Sequence, residues 1–269
     1  MPSPHTQQNL DELGQRLVEK GPVKTLPTSR RVRILFNGEY IVDTTSALYV
    51  WEHEYYPYYY VPRESVAGSL DHPPIKPDSF CVATLHVGRK TTDRIIVFGN
   101  KLAAQSKALQ DMVRFEFGAA DAWFEEDTPI YVHPKDPFRR VDVLHSSRPL
   151  EVRVGGVVVA RTNSAFHLHE TGLPCRYYVP ATAVDHRILR DSETTTACPY
   201  KGVANYYDVE VGDDDAARQT TVKDLVWYYK TPTLECANIA GFLCFYHEKE
   251  GVEITLDGAV VPRPKTPWS

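Results

Sequence analysis

The chain has 269 residues, 42% of them hydrophobic, enough to bury a sizeable core in one large domain or two of ordinary size. A formal net charge of −5 argues against a nucleic-acid-binding surface, which shows itself as a basic excess, and no apolar run approaches the length that crosses a bilayer. The five cysteines are odd in number and irregularly spaced behind a polar N-terminus, so free thiols and a cytoplasmic, membrane-free setting are expected.

Residues 1–29 read as a peripheral extension. Leu10, Leu13, Leu17 and Val18 recur at helical spacing and Gly21-Pro22 ends the pattern, which predicts a short amphipathic helix packed on the body. From Arg31 the pattern changes to short strands. Arg31–Phe36, an Asn37-Gly38 turn and Glu39–Val42 predict a hairpin, followed by a strand over Ala47–Trp51. The same order returns 118 residues later: Gly38 falls on Gly156, Thr44 on Thr162, Ser46-Ala47 on Ser164-Ala165, Glu52 on Glu170, and Tyr59–Pro62 on Tyr177–Pro180. Duplication is the simplest reading.

Further on, Val113–Phe117 aligns with Leu225–Tyr229, Pro129–His133 with Phe242–Tyr246, and Val141–Val143 with Val252–Ile254. A short helix is expected over Ala103–Met112. The fold predicted is mainly β: two tandem repeats of a compact antiparallel sheet domain, tent- or sandwich-like, each a meander of about seven strands. They would span 30–147 and 148–269. Exposed strand edges make a homo-oligomer a possible assembly.

One stretch concentrates chemistry. Thr194-Thr195-Thr196-Ala197-Cys198-Pro199-Tyr200-Lys201-Gly202 carries hydroxyls, a thiol, a phenol and an ammonium into a turn before the strand Val203–Val211. Against it the first copy aligns Arg89–Arg94, which lacks all of these groups except hydroxyls and cations. The second copy is therefore expected to carry a site that the first has lost or remodelled.

These residues resemble the family known as domain of unknown function 427, sometimes labelled nucleotidyltransferase-like. The resemblance rests on Glu170–Pro174, Tyr177-Tyr178-x-Pro180, Cys198–Gly202 and the Trp227-Tyr228 strand, and in the first copy on Trp51–His53, Tyr59–Arg63 and Asp121–Glu126. It implies a compact, mostly β domain in tandem and no settled chemistry. The nucleotidyltransferase label finds little to hold it. There is no Gly-rich phosphate loop, and the one acidic run, Asp213-Asp214-Asp215, lies between two strands as solvated loop tips do.

The site expected is an aromatic-lined pocket beside residues 194–202 of a small-molecule enzyme using acid–base chemistry of the isomerase, cyclase, lyase or hydrolase type, with no cofactor and no metal. Glu170 would be the base, Tyr200 or Lys201 the acid or oxyanion partner, and Cys198 a wall or nucleophile. Glu52, His53, Tyr177, Tyr178, Thr196 and Trp227 would line the ligand sites. Glu52 and Glu170 are identical between the copies, and each could instead pair with an arginine such as Arg63 or Arg176. His167-x-His169 places two imidazoles on one strand face, a spacing that holds zinc or iron. The first copy has Tyr49 and Trp51 there and no cysteine pair has zinc spacing, so packing is the expectation. A non-catalytic module binding a small ligand or peptide is the alternative from another class, and nucleotidyl transfer the third.

Overall fold

The computed structural model describes residues 9–212 and 220–266, which fall into two compact units dividing between Asp136 and Pro137. The run Asp213-Asp214-Asp215 lies outside the described residues. In the first unit, helix α1 (Leu10–Lys20) is capped by the Asn9 side chain, which accepts from the Asp11 and Glu12 backbone N–H groups. Its apolar stripe, Leu10, Leu13 and Leu17, packs on Leu48, Val50, Tyr60, Ile96 and Phe98 of the sheet beneath.

The strands of the first unit are β1 (Lys24–Pro27), β2 (Val32–Phe36), β3 (Glu39–Thr44), β4 (Leu48–Trp51), β5 (Tyr58–Pro62) and β6 (Ser69–Asp71), then β7 (Phe80–Val87), β8 (Lys90–Phe98), β9 (Met112–Phe115), β10 (Ala122–Glu125) and β11 (Thr128–Ile130). Those of the second are β12 (Val141–Ser146), β13 (Leu150–Val154), β14 (Val157–Thr162), β15 (Ala165–Glu170), β16 (Arg176–Val179) and β17 (Leu189–Cys198), then β18 (Gly202–Val211), β19 (Thr220–Tyr229), β20 (Leu243–Phe245), β21 (Val252–Leu256) and β22 (Ala259–Val260).

Each unit is an antiparallel sandwich of a seven-stranded and a four-stranded sheet. The orders β1-β4-β5-β9-β8-β7-β6 and β11-β10-β2-β3 in the first recur as β12-β15-β16-β20-β19-β18-β17 and β22-β21-β13-β14 in the second. The duplication read from the sequence is therefore a duplication of topology. Even the isolated bridge Val42–Val66 returns as Ala160–Val184, with the same 118-residue offset. Alternation produces the layers. In the second unit Val152, Val154, Val179, Val209, Leu225 and Ile254 fill the space between the sheets. Leu168, Tyr178, Ala204, Tyr206, Trp227 and Tyr229 build a second core on the outer face of the large sheet.

Several expectations change. Each repeat has eleven strands rather than about seven. Lys24–Pro27 is not peripheral, since it pairs with β4 as the first strand of its repeat, and Val141–Ser146 opens the second repeat by pairing with β15 rather than closing the first. Beyond Val66 the alignment slips by one strand. The partner of the Cys198–Gly202 turn, which joins β17 to β18, is the β6–β7 connection 72–79, whereas Arg89–Arg94 belongs to the β7–β8 hairpin. The connections differ in length there, so a constant offset no longer tracks the strands. The helix expected over 103–112 is a 3-10 segment, Ala104–Leu109, with a counterpart at Leu234–Ile239.

Candidate functional site

The two identical glutamates stand at the same place, one at the end of β15 and the other just past β4, but their surroundings differ. Glu52 accepts from Arg114 Nε at 2.9 Å and Nη2 at 3.4 Å and from the Tyr60 hydroxyl at 3.0 Å. The Arg114 and Glu52 side chains are 1% and 0% exposed. Burial works against the Arg114 charge, but Glu52 and Tyr60 outweigh it and the guanidinium stays ionised. Glu52, expected to line a ligand site, is sealed inside the sheet layer.

Glu170 takes its cation from elsewhere. Lys201 Nζ donates to Glu170 Oε2 at 2.5 Å, and the two side chains keep 13% and 8% exposure. Burial tends to lower the Lys201 ammonium, yet Cys198, Glu170 and Cys236 together raise it above the ordinary value, so Lys201 is a fixed cation at neutral pH. It is delivered by a three-residue turn that Gly202 closes at φ 101°. The turn is pinned from below: the Tyr200 carbonyl accepts from Thr233 Oγ1 at 2.6 Å and from the Cys236 thiol at 3.5 Å, while Thr233 N–H donates to the Lys201 carbonyl at 3.1 Å. Tyr200 is buried, and Cys198, half-buried, pairs with Gly202 across the turn. Neither arginine offered as a partner for the glutamates serves. Arg63 bonds His72, and Arg176 makes a two-pronged pair with Glu248 at 2.7 and 2.5 Å.

The structure thus joins Glu170 to Lys201, with Cys198 and the Tyr200 backbone in the same turn, but not around an aromatic cleft. Trp227 Nε1 donates to the Tyr178 hydroxyl at 3.0 Å, and both rings are packed into the outer-face core. Thr196 Oγ1 and the Tyr206 hydroxyl bond each other at 2.7 Å, and the Thr194 hydroxyl goes to Asp224. Burial pushes the phenols of Tyr178, Tyr206 and Tyr229 upward, so they are neutral bonding groups at physiological pH. His53 belongs to the first unit, where it sits among the rings of Tyr55, Tyr56 and Tyr58 and burial keeps it neutral.

What opens beside Glu170 is a polar depression of about 390 Å³ lined by Arg140, Asp142, His169, Glu170 and Thr171. It lies where β12 meets the end of β15. His169, which lines this depression, also belongs to a second grouping on β15. His167 stands across from Tyr177, their rings edge to face at 4.9 Å. The same register carried one step further puts His169 opposite Cys175, whose Sγ is 3.9 Å from His169 Nε2. One ligand atom from each of His167, His169 and Cys175 lies within 4.8 Å of the others. Cys175 was not singled out by spacing because it meets the histidines across a hairpin, while ligand motifs are read along a chain. Tyr177 shares this face, with its hydroxyl within bonding reach of the Cys175 sulfur.

Fold and site together define a tandem antiparallel β-sandwich protein whose second repeat carries the more open charged site. The chain belongs to the family described as a domain of unknown function, DUF427, whose model matches residues 24–126 and 142–258. Those limits begin at β1 and β12, where the two sheets place the repeats. Comparison with curated proteins finds no match. No described helix is long and apolar enough to cross a membrane, and all five cysteines are free.

Proposed function

We propose that the second repeat binds a small polar molecule in the depression beside Glu170 and acts on it by proton transfer, as an isomerase, cyclase, lyase or hydrolase does. The carrying observation is the difference between the two glutamates: one is sealed by Arg114 and Tyr60, the other walls an open depression. Glu170 would be the base, or the acceptor that orients the substrate. Lys201 holds it in place, a positioning residue whose raised pKa makes it a standing charge. Arg140, paired with Asp142 at 2.9 Å, is the exposed cation that an anionic substituent would meet, and the Thr171 hydroxyl is tied to the Arg140 backbone.

A second reading, a binding module without chemistry, is favoured by a different observation. The buried phenols of this unit are pushed above their ordinary range, so none of them is a poised proton donor. One experiment separates the two. A panel of polar metabolites is screened by thermal shift against the wild type, Glu170→Gln and Lys201→Met, and each hit is then followed by proton NMR for conversion. Conversion lost in Glu170→Gln supports the enzyme. A hit that binds the wild type and is never converted supports the module, and hits indifferent to both variants place the site elsewhere.

A further inference from the structure

His167 is an orphan among the described residues of the second repeat. Its ring is 7% exposed, and its Nε2 is fully buried with no hydrogen-bond partner. At the equivalent position of the first repeat, the Tyr49 hydroxyl accepts a bond from the Tyr59 hydroxyl at 2.8 Å. Tyr177, which stands where Tyr59 does, instead turns its ring edge to His167 and has Cys175 for its hydroxyl. A buried nitrogen without a partner costs about 1–3 kcal/mol, so it asks for a ligand. Ligand atoms of two further soft or borderline donors, His169 and Cys175, lie within 4.8 Å of a ring nitrogen of this histidine.

We propose that His167, His169 and Cys175 bind one divalent ion of the zinc class. The donor set selects the metal: two imidazoles and a thiolate suit zinc, and cobalt as its substitute, over the hard oxygen-seeking cations. Spacing agrees. A tetrahedral ion about 2.1 Å from nitrogen and about 2.3 Å from sulfur holds those two atoms about 3.6 Å apart, and Cys175 Sγ and His169 Nε2 stand at 3.9 Å. Binding takes the proton of the Cys175 thiol into solvent, forms the metal–sulfur bond and fills the orphan lone pair of His167. Three protein ligands leave a fourth position for water or an exchangeable group. Tyr177 is placed to bond the coordinated sulfur from outside. The first repeat cannot hold the ion, because Tyr49, Trp51 and Pro57 occupy the three positions. This inference does not rest on the reading of Glu170 and Lys201, although His169 also lines the depression beside Glu170.

The test uses the full chain, freed of metal by a chelator, kept reduced and titrated with Co²⁺. One cobalt per chain is expected, with a thiolate-to-cobalt charge-transfer band in the near ultraviolet that Zn²⁺ abolishes. Cys175→Ser should erase the band. His169→Ala, at an exposed position, should weaken binding by at least about tenfold, since even outer-shell partners are worth that much. Both metal-free variants should unfold with the metal-free wild type, and Glu170→Gln should bind cobalt normally. Absence of stoichiometric binding, a band that survives Cys175→Ser, or binding unmoved by the two substitutions together would overturn the assignment. The last result would also direct attention to the acidic run Asp213-Asp214-Asp215.

Discussion

Arg114 and Cys244 occupy the same rung of equivalent ladders, Arg114 paired with Tyr60 and Cys244 with Tyr178. That single difference sets what each glutamate does. Where the rung carries a guanidinium, Glu52 is neutralised within the sheet and Tyr60 donates to it. Where the rung carries a thiol, Tyr178 turns to Trp227, and Glu170 is left to the lysine of a turn. Removing Arg114 strands a buried carboxylate. Arg114→Met should therefore destabilise the first repeat by roughly 3–5 kcal/mol, and adding Glu52→Gln should recover much of it. Urea unfolding followed by tryptophan fluorescence reads both, and a double variant no more stable than the single would contradict the pairing argument.

Lys201→Met should cost less, about 1–3 kcal/mol, because Glu170 retains some access to solvent. Its pH dependence has a definite sign. Lys201 is raised above the ordinary 10.5 by Cys198, Glu170 and Cys236, against the larger single effect of burial. A raised cation gives its full stabilisation below the unfolded-state value and loses it as pH climbs through the folded one. The gap in melting temperature between wild type and Lys201→Met should stay constant through neutral pH and close only at alkaline pH, beyond 10.5. A gap that closes near neutrality would mean that Lys201 titrates there after all.

Much of the fold was legible from residues 32–66 alone, where the offset of 118 holds without a gap. Within that stretch hairpin, turn and aromatic strand follow from local pattern, and the Asn37-Gly38 turn adopts φ of 52° and 76° as the dipeptide requires. After Val66 the pairings become non-local. A slip from one strand to the next leaves an alternating pattern that still reads as a match, so Arg89–Arg94 resembles the counterpart of Cys198–Gly202 although it is the next hairpin along. The site was half visible. Glu170 and Lys201 could be named from chemistry, but their union depends on how far β17 carries the chain before it turns. Cys175 was invisible for the same reason, since its neighbours His167 and His169 are fixed by hairpin register.

Tyr178 and Trp227 give a direct check on core against pocket. Tyr178→Phe removes the acceptor for a buried indole N–H and should cost about 1–2 kcal/mol. It should leave the affinity of any ligand of the Glu170 depression unchanged, since neither ring lines it. A ligand that loses affinity in Tyr178→Phe while the melting temperature holds would restore the aromatic wall.

Gly202 is where the turn's geometry is most exposed to substitution. Its φ of 101° is closed to ordinary side chains, and a Cβ there would stand 3.2 Å from the Thr231 carbonyl oxygen. Gly156, at φ 82°, has nothing within 4 Å of the same added atom. Backbone strain alone costs of order 1 kcal/mol, so Gly156→Ala should lose about that and Gly202→Ala more, up to about 3 kcal/mol. The excess should be linked to Lys201, because moving the turn pulls the ammonium off Glu170. Gly202→Ala combined with Lys201→Met should then lose less than the sum of the two single variants. Strict additivity in chemical unfolding would show that the turn and the ion pair are held independently.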